Sequence, residues 1–233
     1  MYLSDIHTHS IASGHGTTCT ISDMAKAASK KGLKLLGITD HGPGTLAAGT
    51  SSYFRSLTYA PKKRFGIELL FGAELNILDT EGHLDLNDEL LSELDYAIAS
   101  MHAQNYKSGT VEENTSAYLN AMRHPCVKVL GHCDNPAFPV DYETLAFGAK
   151  EYGVIFEINE ASLMPDGYRG DTKENNREIL KYCMKYEIPI VLSSDSHGAE
   201  HIGDFTYGAE FVHEMMFPEK MILNNDIPRL KMI

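Results

Sequence analysis

Short apolar runs of strand length alternate along the chain with segments of helical period. Residues 2–6, 35–39, 69–73, 96–100, 127–131, 154–159 and 189–194 read as strands. Between them, Ser22 is placed to cap a helix through Lys31 that Gly32 ends, and residues 111–123 form a second helical stretch. Leu145, Ala149 and Tyr152 make an i, i+4, i+7 stripe closed by Gly153; Asp171 or Thr172 caps a fourth helix that turns Ile179, Leu180, Cys183 and Met184 inward. About seven strands alternating with helices predict an α/β fold, with βαβ units closing into a barrel or a doubly wound sheet. The 233 residues hold no linker, repeat or low-complexity stretch, so residues 1–233 are expected to form one domain.

The residues at the far end of nearly every run carry metal-binding side chains. His7 and His9 close the first, Asp40 and His41 the second, Glu74 the third, His102 the fourth, His132 the fifth, and Asp195 and His197 the last. A histidine pair two residues apart on a strand end points to one side and can share an ion, but alone it reads equally well as a solvated loop pair. Recurrence decides. If the strands are parallel, these side chains meet on one face, where a barrel carries its active site, and together they predict a multinuclear metal site. Residues 42–52 and 198–208 then read as rim loops, with ordinary surface excursions an equal alternative.

Composition narrows the function. A net charge of -12 offers no basic stripe to a long nucleic acid, and the densest basic run, Lys62-Lys63-Arg64, reads as the solvated end of a helix. Cys19, Cys126, Cys133 and Cys183 show neither a Cys-x-x-Cys pair nor disulfide spacing, which favours reduced thiols and a cytoplasmic location. Cys133, beside His132, reads as a buried thiol rather than a ligand. The N-terminus lacks a signal pattern, and no apolar stretch approaches the roughly 18 residues that span a bilayer, so no membrane partner is expected.

The series Asp5-x-His7-x-His9, His15, Asp40-His41, Glu74, His102, His132 and Asp195-x-His197 resembles the polymerase and histidinol phosphatase (PHP) superfamily of metal-dependent phosphoesterases, and within it the compact YcdX-like phosphatases. The resemblance runs from Ser4 to His197 and implies a distorted seven-stranded (β/α) barrel with three divalent ions at the carboxyl rim. It implies that His7, His9, Glu74 and Asp195 hold one ion, Glu74, His102 and His132 a second, and His15, His41 and His197 the third. Glu74 bridges in this scheme, since a carboxylate has two ligating oxygens and an imidazole nitrogen serves one ion. Asp5 is expected to orient a ligand imidazole, and Asp40 to do the same or to cap a turn. Nitrogen-rich, carboxylate-bridged sites suit zinc first, then manganese or iron.

Such chemistry implies hydrolysis of a phosphate ester by a metal-bound hydroxide, and the acidic balance favours a small phosphomonoester as substrate over a polyanion. Arg169 and Arg177 are candidates to grip the phosphate, although Arg177 also reads as a helix-surface charge. His83, His124, His201 and His213 stay outside the ligand set, with His201 placed to touch a substrate from the rim loop. Two alternatives remain. A phosphodiesterase or short-oligonucleotide nuclease would want a basic groove, which the acidic balance opposes; a non-catalytic metal-binding regulatory domain would be marked by lost ligands, and none is missing.

Overall fold

The structure, a computed structural model, describes residues 2–233. The strands are β1 (Ser4–Asp5), β2 (Thr8–His9), β3 (Leu35–Ile38), β4 (Lys63–Arg64), β5 (Ile67–Asn76), β6 (Tyr96–Ser100), β7 (Val127–Leu130), β8 (Ile155–Asn159), β9 (Ile190–Ser193) and β10 (Ser196–His197). The helices are α1 (Ile21–Lys30), α2 (Ser51–Thr58), α3 (Asp88–Leu91), α4 (Val111–Met122), α5 (Tyr142–Tyr152), α6 (Glu160–Leu163), α7 (Lys173–Tyr186), α8 (Thr206–Glu214) and α9 (Ile227–Leu230). β1, β3, β5, β6, β7, β8 and β9 pair in that order, all parallel, into a nearly closed barrel flanked by helices. Each of these seven strands therefore presents its carboxyl end at the same rim, as the seven-stranded reading requires.

Local chemistry moves some boundaries. The cap of α1 is Thr20 rather than Ser22, because Thr20 and Asp23 satisfy each other's backbone N–H groups as a capping box. The Ser22 hydroxyl instead accepts from Arg64 Nη1 at 2.7 Å. Lys62-Lys63-Arg64 is no helix end: Lys63 and Arg64 form β4, antiparallel to the start of β5. Residues 42–52 run into α2, a helix without a side-chain cap, which is fixed by burial of Phe54 and Leu57.

The seam between β9 and β1 is closed by side chains. Asn224 Nδ2 donates to the carbonyls of Ser4 (3.0 Å) and Leu192 (2.7 Å), and Leu192 N donates to Asn224 Oδ1 (2.8 Å). Asp5 accepts from Ser194 N and Oγ, at 3.2 and 2.6 Å. Nearer the rim, the same two chain segments pair as strands, β2 with β10, with His9 opposite His197. The barrel thus closes in backbone hydrogen bonds where the histidines are.

The barrel interior grades from apolar to polar. Ile6, Leu35, Ile98, Val129, Ile155 and Val191 share one buried cluster, capped by Leu223 and Leu230. Tyr96 crosses this space to donate to the Ile6 carbonyl, and the room for its hydroxyl comes from Gly37, where a Cβ would lie 2.1 Å from it. Two residues further along a strand, on the same face, the side chains become polar: Ile155 gives way to Glu157 and Asn159, and Val191 to Ser193.

Candidate metal centre

Glu74, on the buried length of β5, is the hub of the polar rim. Its Oε1 lies 2.8 Å from His132 Nε2 and 3.3 Å from His102 Nε2. Its Oε2 lies 2.7 Å from His41 Nδ1, 3.4 Å from His7 Nε2 and 3.5 Å from His9 Nε2. Each oxygen faces its own group of imidazoles, which is the arrangement a bridging carboxylate needs. Asp195 Oδ1 lies 3.2 Å from His9 Nε2 and 3.6 Å from His7 Nε2. Ligand-type atoms converge within 4.8 Å in three groups: His7, His9 and Asp195; His9, His41 and His197; and His41, Glu74 and His102. His15 lies on the open side, its ring 5.0 Å from that of His41 and 4.8 Å from that of His197.

The imidazoles are aimed from behind. His7 Nδ1 donates to Glu157 Oε1 at 2.6 Å; Glu157 also accepts from Ser193 Oγ, from His132 N (2.7 Å) and from Asn159 Nδ2 (3.0 Å). His9 Nδ1 donates to Ser13 Oγ at 2.9 Å, and Ser13 Oγ donates to Asp40 Oδ1 at 2.7 Å. His102 Nδ1 donates to Asn76 Oδ1 at 2.7 Å, while His15 and His197 donate to the carbonyls of Ser13 and Asp195, each at 3.1 Å. In its neutral form, with Nδ1 donating, each of these rings leaves Nε2 with a free lone pair.

Asp5 and Asp40 differ from expectation. Asp5 touches no imidazole: it accepts from Ser194 and from Gly203 N, so it belongs to the seam. Asp40 acts on His9 through Ser13, not on its neighbour His41. Glu157 escaped the sequence reading although its signal was present, an acid within the apolar run 154–159 that could be buried only with partners. Ser13 carried no such signal.

Protonation follows from the packing. Burial works against charge on Glu74 and Asp195, yet the surrounding histidines, with Arg169 beside Asp195, hold both carboxyls well below their usual range. Burial, reinforced by His41 and His197, pushes His9 well down, and burial with Arg169 brings His132 to about 4. These are the ionised carboxylates and neutral imidazoles that a cation needs. His7 and His41 go the other way. Burial disfavours their charge, but Glu157, Glu74 and Asp195 around His7, and Glu74 and Asp195 around His41, outweigh it and raise both.

Two further observations test the fit of metal ions. Buried polar atoms are almost always hydrogen-bonded. Among the described residues, eight buried side-chain N or O atoms lack a partner, and six belong to this cluster: His7 Nε2, His9 Nε2, His41 Nδ1, Glu74 Oε2, His132 Nδ1 and His197 Nε2. His132 and Asp195 also adopt left-handed backbone, with φ of 28° and 54°, a strain that non-glycine residues bear where surrounding structure imposes it. Nitrogen-rich donors without partners around a two-sided carboxylate fit divalent transition-metal ions.

A cavity of about 580 Å³ opens over the cluster, walled in part by Met101, Phe138, Tyr168 and Arg169. The buried Arg169 guanidinium donates from Nη2 to Asp195 Oδ2 (2.8 Å) and from Nη1 to Ser162 Oγ (3.1 Å), under the Tyr168 ring at 4.6 Å. Arg177 is not brought here. It pairs with Glu174 at 2.7 Å, one helical turn away on the exposed face of α7, where that spacing makes a surface ion pair. His201 also lies outside the cavity lining, and Cys133 is a buried thiol whose ionisation burial strongly opposes.

The PHP domain family matches residues 5–163, and a PHP-associated family matches residues 173–210. The chain is 41% identical over 229 residues to a protein of Clostridium novyi named "Probable phosphatase", covering 98% of this chain and 93% of that one. A protein of the same name from Clostridium botulinum strain Hall is 40% identical over 225 residues, covering 97% and 91%. Among solved structures, histidinol phosphate phosphatase from Lactococcus lactis, complexed with zinc, L-histidinol and phosphate, superposes with a TM-score of 0.62 at 16% identity, over 93% of this chain and 95% of that one, a likeness of fold. The family match over most of the chain, joined to the relatives' identity along nearly its whole length, shows that this protein belongs to the PHP family.

Proposed function

We propose that the chain, residues 1–233 acting as one domain, is a metal-dependent phosphatase that hydrolyses a small phosphomonoester at the rim of its barrel. The observation that carries this reading is Glu74, buried, ionised and faced on each oxygen by a different set of imidazoles. Three divalent ions, zinc first and manganese or iron after it, would be held by His7, His9, Glu74 and Asp195; by Glu74, His102 and His132; and by His15, His41 and His197. When bound, such ions supply Lewis acidity, lowering the pKa of water towards about 7 and neutralising phosphoryl charge.

The chain's own residues prepare the reaction. Glu157 and the Ser13–Asp40 pair fix the rings of His7 and His9, and Arg169 holds Asp195 by its second oxygen. Among the described residues Arg169 is also the one Lys or Arg in the cavity wall, so it would be the Lys or Arg placed to meet a bound phosphate. A cavity of about 580 Å³ suits a small ligand, and with one guanidinium in its wall it offers no track for a polyanion. Four free cysteines support a cytoplasmic placement. No helix among the described residues is long and apolar enough to cross a membrane.

The test is release of inorganic phosphate from a panel of monoesters, set against cleavage of labelled single strands by the same zinc-loaded protein at low and moderate salt. Monoester hydrolysis should dominate and vary little with salt. Efficient strand cleavage with negligible phosphate release would refute the proposal in favour of a phosphodiesterase, and neither activity from a metal-replete protein would favour a regulatory domain.

A further inference from the structure

His102 is anchored unlike the other imidazoles, through a neutral amide whose own orientation is set from behind. Asn76, the last residue of β5, is fully buried. Its Oδ1 accepts from His102 Nδ1 at 2.7 Å, while its Nδ2 donates to Asp85 Oδ2 at 2.6 Å and to Thr45 Oγ1 at 3.1 Å. An amide turned end for end keeps its shape but exchanges donor for acceptor, so the partners at its far end decide what His102 meets. A hydroxyl can serve either orientation. An ionised carboxylate can only accept, which makes Asp85 the group that decides.

Asp85 is itself fixed in place. Its Oδ1 accepts from Asn76 N at 3.0 Å and its Oδ2 from Gly44 N at 2.8 Å, joining the end of β5 to the loop that follows His41. The fit is close enough that a Cβ on Gly42 would lie 2.3 Å from the Asp85 oxygens.

We infer that Asp85 is a positioning residue of the metal centre: by fixing the direction of the Asn76 amide it keeps the His102 proton on Nδ1 and leaves Nε2 free to ligate beside Glu74. The inference rests on the proposed metal centre. Were Asn76 turned over, its NH2 would face Nδ1, which would then have to accept, and the proton would move to Nε2. His102 Nε2 lies 3.3 Å from Glu74 Oε1, so the protonated nitrogen would donate to Glu74 and could not hold an ion. Asp85 acts on His102 through Asn76 alone and needs no contact with substrate.

Exchanging the two side chains isolates this role. Asp85→Asn can turn either an oxygen or an NH2 towards Asn76, so the Asn76 amide is released, at the loss of the acceptor for one of the two backbone N–H groups of Asn76 and Gly44. Asn76→Asp sets two carboxylates against each other. The double variant Asp85→Asn with Asn76→Asp restores a donor facing an acceptor and again presents only an acceptor to His102. The first readout is the tautomer of His102 in the metal-free protein, taken from ring nitrogen shifts by long-range ¹H–¹⁵N NMR. The second is zinc stoichiometry and affinity by elemental analysis and chelator competition.

Wild type and the double variant should show the Nδ1–H form; Asp85→Asn should show a mixture of tautomers and about 10- to 100-fold weaker binding of one ion. Should Asp85→Asn fail to fold, Asp85→Ser releases the same amide and is read the same way. A wild-type tautomer and zinc affinity in Asp85→Asn or Asp85→Ser would overturn the proposal, as would a double variant no better than Asp85→Asn. Wild-type protein that binds no zinc would overturn the metal centre itself, and the metal-free tautomers would still report whether Asp85 directs Asn76.

Discussion

Replacing Asn224 by alanine should cost the barrel its seam. Asn224 follows β9 by some thirty residues, yet it is wholly buried between β9 and β1 and serves as a hydrogen-bonding bridge for both. Alanine removes the donor to the Ser4 and Leu192 carbonyls and the acceptor for Leu192 N, leaving three backbone groups in a buried seam. The bonds that Leu3 N and Ser4 Oγ make to the Asn224 carbonyl survive, because they use backbone. An unsatisfied buried group costs about 1 to 3 kcal/mol, and water entering the vacated space recovers part of it, so the net loss should be about 3 to 6 kcal/mol. For a chain of this length each kcal/mol moves Tm by about 2 to 4 °C, so melting should fall by about 6 to 24 °C. With no tryptophan present, urea and thermal unfolding are followed by circular dichroism and tyrosine fluorescence. Asn224→Asp should be no milder, since a carboxylate would face two carbonyls. A loss under about 1 kcal/mol at unchanged m value would refute the idea that one amide closes the barrel.

Two further outcomes are expected at the rim. Glu74→Gln should lower phosphatase activity by orders of magnitude and reduce bound metal, because an amide lacks the charge and the second oxygen that face two sets of imidazoles, whereas exposed His83, paired only with Asp79, should tolerate alanine; equal activity and metal content in the two variants would remove the bridging role. Zinc binding near neutral pH should release protons. His7 and His41 are raised in the metal-free protein and must give up a proton to ligate, while His9, His132 and His197 are lowered and already neutral. Apparent affinity should therefore climb as pH rises towards the His7 and His41 pKa values and level off above them, and the same raised pKa values stabilise the metal-free fold at low pH and cease to do so as pH rises through them. Calorimetry in buffers of different ionisation enthalpy counts the protons; none released, with affinity flat between about pH 6 and 8, would contradict the packing argument.

The convergence of the candidate ligands on one rim was legible because two periodicities coincide. Strands of parallel direction end at one rim, and side chains two apart share a face, so His7 with His9 and Asp195 with His197 could be placed without knowing any tertiary contact. The supports behind them could not. Ser13, Asn76 and Asp85 are ordinary turn and strand-end residues, and only their meeting across loops makes them anchors. Asn224 lies 220 residues from Ser4, a separation no local pattern reports. Arg177 shows the converse error, since its type suited a phosphate while the i, i+3 partner Glu174 in its own helix already accounted for it.

Net charge also means something different once the interior is known. Among the described residues, seven acidic side chains are buried, Asp5, Asp40, Glu74, Asp134, Glu157, Glu160 and Asp195, against Arg169 as the one buried Lys or Arg. That difference of six is half of the chain's -12. Much of the acidity that seemed to repel polyanions is therefore buried: Glu74, Glu157 and Asp195 line the candidate metal centre, whereas Asp5 holds the seam and Asp134 and Glu160 bond to the helices around the barrel. The outer surface is correspondingly less acidic than the count implies. The proposed discrimination against nucleic acid therefore rests on the cavity, whose wall, among the described residues, carries a single guanidinium and no run of lysines or arginines that could displace counterions along a strand. Salt dependence separates the two cases: binding governed by the site should change little with salt, whereas a strand held by an external basic surface should lose affinity steeply.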